Sequence, residues 1–331
     1  MKILGLSWRA IALAAAALFV GCGSLLPSAS GGGALQMRSS LPTDAVRGSW
    51  IKPEATGEDL LYFSGAADQY AINIFSFPKG ALVGAIADNG YPQGLCSNAQ
   101  GDVFVVDNVN QDVQEYAHGA LLPKAIIKYP GGQPTGCAAD ATTGNLAVMD
   151  GEDLVAPLNS LYNYVWIYAH AKGKPKRYAF PGISYPMYLC YDDAGDLFID
   201  GTPQPNRLAI VELPKGESAF VTIKLDGKTS DRVRSPGAIF WDGRYIVVGD
   251  DAYPDNFLVR LALSGFKATF AGETKLRGAS GIQEFWVQSG LVAAAQSGAA
   301  AVWKYPAAGS PVQTFSQVTA AYGVAASVAP P

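Results

Sequence analysis

The chain has 331 residues, among them 37 Gly and 21 Pro, with 49% hydrophobic residues, 16% charged residues and a formal net charge of −4. So much Gly and Pro excludes a mainly helical protein, the hydrophobic content excludes a disordered chain, and the scarcity of Lys and Arg excludes a basic nucleic-acid-binding surface. The length alone would suit two domains, but all-β propellers and barrels of this size are single units.

Lys2 and Arg9 precede an uncharged run from Ala10 to Val20. That order is the charged-then-apolar pattern of a secretory signal, and the run is too short for a comfortable membrane span. Phe19-Val20-Gly21-Cys22 resembles the lipobox of bacterial lipoproteins, which implies cleavage after Gly21 and acylation of Cys22. Phe19 departs from the usual Leu, Val or Ile. Gly23 after the Cys, rather than Asp, implies by the same resemblance passage to the outer membrane, facing the periplasm or the surface. Residues 22–56 contain SASGGGALQ and little periodic apolar pattern, which suits a flexible tether. No later segment is long and apolar enough to predict a spanning helix. The division expected is a signal peptide over 1–21, a lipidated tether over 22–56 and one folded head over 57–331.

The head repeats itself. A turn Gly followed by a short β-rich run recurs as GDVFVVD from Gly101, GNLAVMD from Gly144, GDLFID from Gly195, GRYIVVGD from Gly243 and GLVAAAQ from Gly290, at intervals of 43, 51, 48 and 47 residues. After each comes an alternating strand that ends in a Gly-containing turn: VQEYAHG, VWIYAHAKG, IVELPKG, LVRLALSG and VWKYPAAG, with INIFSFPKG before the first run. An opening signal stands at Pro92-Gln93-Gly94, Pro134-Thr135-Gly136, Pro186-Met187-Tyr188, Pro236-Gly237, Ser280-Gly281 and Tyr322-Gly323. Four short strands every ~40–50 residues make a propeller blade. The first unit lacks an opening strand and the segment Tyr322 to Val328 has nothing after it, so the C-terminal strand is expected to complete the first blade. The predicted fold is an all-β, six-bladed β-propeller whose ring hides its own edges.

Pro92 to Tyr116, PQGLCSNAQGDVFVVDNVNQDVQEY, resembles an NHL-type repeat, and Thr135 to Tyr168 and Tyr188 to Leu213 resemble it less closely. The repeat is similar to those of the wider gluconolactonase and TolB-like propeller group. The motif carries fold rather than activity.

With strands A to D in each blade, the A–B and C–D turns share one face, and the B–C and D–A connections share the other. The second face has the longer loops, Asp150 to Asn163, Asp200 to Asn206, Asp250 to Asn256, Asp226 to Ser235 and Gly272 to Ser280. It is therefore the face expected to bind. Asp107, Asp150, Asp200 and Asp250 end four B strands and place carboxylates around that rim. They read in two ways: each caps its own loop by accepting backbone N–H bonds, or some of them, with Asn108, Asn110, Glu152, Asp153, Asp251 or Asp255, hold a divalent ion. Ca²⁺ is the candidate cofactor, since it takes six to eight oxygen ligands. Tyr162 and Tyr253 lie in long loops where they could stack on sugar or peptide. Tyr164, Trp166 and Tyr168 alternate along a strand and are expected to pack on the next blade.

His118 and His170 fall in C–D turns, away from that face, and read as surface histidines. No Ser nucleophile elbow, phosphate loop or zinc spacing is present. Cys96, Cys137 and Cys190 read as buried free thiols, because Cys96 lies five residues before its turn Gly and Cys137 seven. Two functions remain open. One is an envelope-anchored, monomeric binding or scaffold module for a protein or glycan, joined to the membrane through its lipid. The other, implied by the resemblance, is a metal-dependent hydrolase or lactonase similar to the gluconolactonase group, with an acid/base residue at the channel.

Overall fold

The computed structural model describes residues 48–65, 71–87, 90–150, 164–183, 185–203, 207–250 and 256–330. All of them belong to the compact unit Leu41–Pro331. They form six sheets arranged as blades, antiparallel except for one short added strand. Strands A to D of the second blade are Pro92–Ser97, Val103–Asp107, Asp112–Tyr116 and Ala125–Lys128. In the third they are Pro134–Ala139, Leu146–Asp150, Tyr164–Tyr168 and Lys176–Ala179, and in the fourth Tyr185–Tyr191, Leu197–Thr202, Ala209–Leu213 and Val221–Thr222. The fifth holds Pro236–Trp241, Ile246–Asp250, Phe257–Leu263 and Lys267–Lys275, and the sixth Ile282–Gln288, Leu291–Gln296, Ala299–Lys304 and Gln313–Thr314.

The first blade is made from both ends of the chain. Its strands B to D are Leu60–Gly65, Ala71–Ser76 and Leu82–Ala87, and its strand A is the C-terminal segment Ala321–Ser327. The pairing runs from Leu60 opposite Ser327 to Gly65 opposite Ala321. A short strand, Trp50–Ile51, adds to the outer edge of this blade.

The B strands explain the stacking of the blades. Each is buried on both faces, so it reads as a continuous apolar run rather than an alternation, and successive residues enter opposite interfaces. Val103 and Val105 pack towards the first blade while Phe104 and Val106 pack towards the third. Likewise Leu146 and Val148 face the second blade, and Ala147 and Met149 the fourth. Six hydrophobic clusters result, one at each interface, including the one that joins the sixth blade to the first.

In every blade the A–B pairing shifts register near the start of strand A. These bulges coincide with the opening motifs, whose glycines allow neighbouring inner strands to touch: a Cβ on Gly323 would stand 2.3 Å from Gln93 O. The turn Gly101 has φ +81°, which the tight A–B turn requires.

Three features differ from expectation. Cys96 and Cys137 form a disulfide, with Cα atoms 5.7 Å apart, and only Cys190 is a free, buried thiol among the described cysteines. Counting back from the turn Gly misaligned the pair because the third blade's A–B turn, Asp140 to Asn145, is longer than Asn98 to Asp102; both cysteines lie on adjacent inner strands. A short helix, Gly227–Arg232, occupies the connection between the fourth and fifth blades, N-capped by Asp226, whose Oδ1 accepts from Thr229 N at 2.7 Å. Before it, Lys224–Leu225 pairs in parallel with strand D of the fifth blade. The aromatic alternation of the third blade packs on the preceding blade rather than the next: Tyr168 is buried and donates to Lys128 O at 2.9 Å, and Trp166 packs edge-on to Tyr129 of the second blade, while Tyr164 stacks with Arg177 of its own blade. No described helix is long and apolar enough to cross a membrane.

Candidate functional site

The rim of B-strand ends comes first, because the sequence singles it out. Asp107 is fully buried, and its Oδ1 accepts from Tyr91 N and Asn110 N, both at 3.0 Å, while Oδ2 accepts from Asn110 Nδ2 at 2.6 Å and Gln114 Nε2 at 3.4 Å. It therefore closes its own B–C turn and also holds the start of strand A. Asp250 accepts from Arg234 N at 3.2 Å and Ser235 N at 3.0 Å. Asp200 accepts from Tyr188 N at 3.0 Å through Oδ1, whereas Oδ2 is buried with no partner among the described residues. Burial with so little compensation pushes the Asp200 carboxyl well above the usual carboxylate range.

Two further residues near the ends of B strands also accept from the backbone of strand A or of the segment leading into it. Gln296 Oε1 accepts from Ser280 N at 2.8 Å in the sixth blade, and Ser64 Oγ accepts from Gly323 N at 2.8 Å in the first while donating to Gln93 O. The Gln at the end of GLVAAAQ was visible in the repeat. Asn108 is nearly buried and ties the second blade to the third through Nδ2 to Pro134 O at 3.2 Å. Glu152, Tyr162, Asp251 and Tyr253, the side chain of Asp150, and Cys22 lie outside the described residues. Among the described residues, no group of three or more His, Cys, Asp or Glu could hold a metal ion.

The second feature is the central channel. A cavity of about 330 Å³ runs from the middle of the inner strands to the A–B turns, and strand A of all six blades contributes to its wall. Its mouth lies among Asn98, Asp192, Asp193 and Trp241, on the short-turn face rather than the long-loop face. At the inner end stands Glu284, just after the bulge of the sixth blade. Its Oε2 accepts from Val324 N at 2.7 Å and Leu95 N at 3.1 Å, so one carboxylate oxygen joins the inner strands of the sixth, first and second blades. The side chain faces the cavity yet is enclosed by the ring, and this desolvation raises its pKa to about 8, against the pull of the two amides.

The walls are aromatic and apolar. Phe240 meets Trp286 at 5.1 Å and Phe285 at 6.0 Å between ring centroids. Burial, aided by the charge of Asp140, pushes the Tyr191 phenol up, and burial also raises the Cys190 thiol. Asp192 is fixed at the mouth: its Oδ1 accepts from Ala194 N and Asp196 N, both at 2.9 Å.

Neither histidine reaches the channel cavity. His170 is exposed, with Nδ1 2.7 Å from Thr143 O. His118 is half-buried rather than a free surface group, and its Nδ1 lies 2.7 Å from Ser327 Oγ, across the junction of the second and first blades. Burial lowers its pKa.

The fold and its channel define the class: a closed six-bladed β-propeller with a cavity along its axis. No known protein family matches the chain by sequence. No curated protein matches it either. Among solved structures, a chain in the crystal structure of the nidogen/laminin complex aligns with TM-score 0.65 and 13% identity, covering 82% of this chain and 99% of that one. A protein of unknown function from Bacteroides caccae aligns with TM-score 0.57 and 12% identity, covering 82% and 99%. The β-propeller domain of Cps50 (Swd1) from Myceliophteria thermophila aligns with TM-score 0.51 and 10% identity, covering 83% and 88%. At such identities the likeness is one of fold.

Proposed function

We propose that the protein is a recognition module of the bacterial cell envelope: exported by residues 1–21, held by lipid on Cys22 through the tether that precedes the edge strand Trp50–Ile51, and binding a protein or glycan with the B–C and D–A face of its propeller. The mechanism is surface complementarity on a rigid frame. The observation that carries this reading is the construction of the rim, where Asp107 and Asp250 engage backbone amides. Carboxylates held in this way stiffen the frame from which the loops rise. At that rim the B–C turn of the second blade presents Val109, which is 65% exposed.

Two likenesses support the reading by analogy. A propeller of similar fold comes from a protein–protein complex, that of nidogen with laminin, and the segment Pro92 to Tyr116 resembles an NHL-type repeat. A photo-crosslinking residue placed at Val109 in intact cells is expected to yield a discrete adduct, while the same residue at Lys215, in a C–D turn of the opposite face, yields none. Equal labelling from both positions would overturn the face assignment. Palmitate incorporation that is lost in Cys22→Ala would support the anchor, and unchanged incorporation would remove it.

A further inference from the structure

The channel cavity has a chemical character of its own, independent of the long-loop face. Its only acidic side chains among the described lining residues are Glu284, Asp192 and Asp193; no Lys, Arg or His is among them. The remaining wall is mostly apolar and aromatic, with Tyr188, Tyr191, Phe240, Trp241, Phe285 and Trp286 in it, and carries Ser97 and Asn98 as uncharged polar groups. From this combination we infer that the channel binds a small organic cation, an amine carried on an aromatic or short aliphatic body.

Each part of the site serves such a ligand. The volume lies at the lower end of small-molecule pockets, roughly 300–1,000 Å³, which suits a compact ligand. Aromatic faces attract ammonium groups, by ~2 kcal/mol or more where water is excluded. The carboxyl of Glu284 is already oriented by Val324 N and Leu95 N, both of which bind Oε2, so its other oxygen is the one that accepts from an ammonium group once it has given up its proton to solvent. Asp192, fixed by its turn, and exposed Asp193 give the mouth a negative field that draws cations in and repels carboxylates and phosphates. An anionic ligand would find no positive partner among the described residues of this wall.

The test is calorimetric titration of the full chain in detergent with three probes that share a phenylethyl body: 2-phenylethylamine, neutral 2-phenylethanol and anionic 3-phenylpropanoate. The amine is expected to bind saturably and at least about tenfold more tightly than either of the others. Glu284→Gln, which keeps an oxygen for the two amides, is expected to weaken the amine by about tenfold. Ala139→Trp, which fills the cavity and alters no carboxyl, is expected to abolish binding while the near-ultraviolet spectrum shows a folded ring. Equal affinity for the three probes, absence of saturable amine binding up to about 10 mM, or undiminished binding in Ala139→Trp would each overturn the inference. The probe series on the unaltered chain and the Ala139→Trp titration decide it even if Glu284→Gln fails to fold. Crosslinking from Val109 reads the opposite face, so failure here and failure of the partner-binding reading are separate results.

Discussion

The Glu284 carboxylate accepts a hydrogen bond from the Val324 amide at 2.7 Å, tying the last complete blade to the strand that closes the ring. The same oxygen holds Leu95 N of the second blade, so the bond bridges the place where the two chain ends meet. Replacing it by Glu284→Ala leaves two inner amides without their acceptor. The expected loss of stability is about 2–4 kcal/mol by urea unfolding, and Glu284→Gln should lose less, because its carbonyl oxygen can still accept. Equal stability of all three chains would separate Glu284 from ring closure.

Glu284 also sets a pH dependence. In the folded ring its pKa is about 8, and in the unfolded chain it returns to about 4.5. Between those values the folded state binds more protons than the unfolded one. The stability this group contributes is therefore full below pH 4.5 and declines as the pH rises towards 8. Asp200, pushed upward by burial, acts in the same direction from its own lower starting value. The urea midpoint is expected to fall from pH 5 to pH 8, with a shallower fall in Glu284→Gln. An identical slope in the variant would contradict the assignment.

The bridge between Cys96 and Cys137 links adjacent inner strands 41 residues apart in sequence. Its removal by Cys96→Ser with Cys137→Ser should cost about 2–4 kcal/mol. Alkylation of the denatured, unreduced chain should modify Cys190 while leaving Cys96 and Cys137 joined in one peptide pair. Alkylation of all three would show free thiols instead.

The rim caps predict graded losses. Asp107→Ala removes the acceptor of two backbone amides and two side-chain amides and should destabilise the chain by about 2–3 kcal/mol, whereas Gln296→Ala, which frees one backbone amide, should cost about 1 kcal/mol. Calorimetric melting distinguishes the two. The reverse order would mean that the carboxylate serves something other than the fold.

Much of the ring was legible in the chain. Runs such as VFVVD and LAVMD are continuous because B strands are buried on both faces, and the orphan segment at the C-terminus announced its partner at Leu60. The channel was not legible. Which residues of an inner strand face the axis depends on the register shift beside each opening motif, and a bulge leaves no periodic trace. Glu284 sits directly after one and reads in sequence as an ordinary polar residue of GIQEFW. The disulfide was hidden for a related reason, since turns of unequal length move equivalent positions out of step. Ser64 and Gln296 break the run of aspartates at the B-strand ends, because the backbone amide they serve asks only for an oxygen acceptor.

The closed ring underlies every site described, and amide hydrogen exchange on Ala321–Ser327 tests it most directly. The account predicts protection equal to that of the other inner strands, such as Pro92–Ser97, and loss of that protection when the pairing partner Leu60–Gly65 is deleted. Exchange of the C-terminal segment within seconds, as in a free tail, would contradict it.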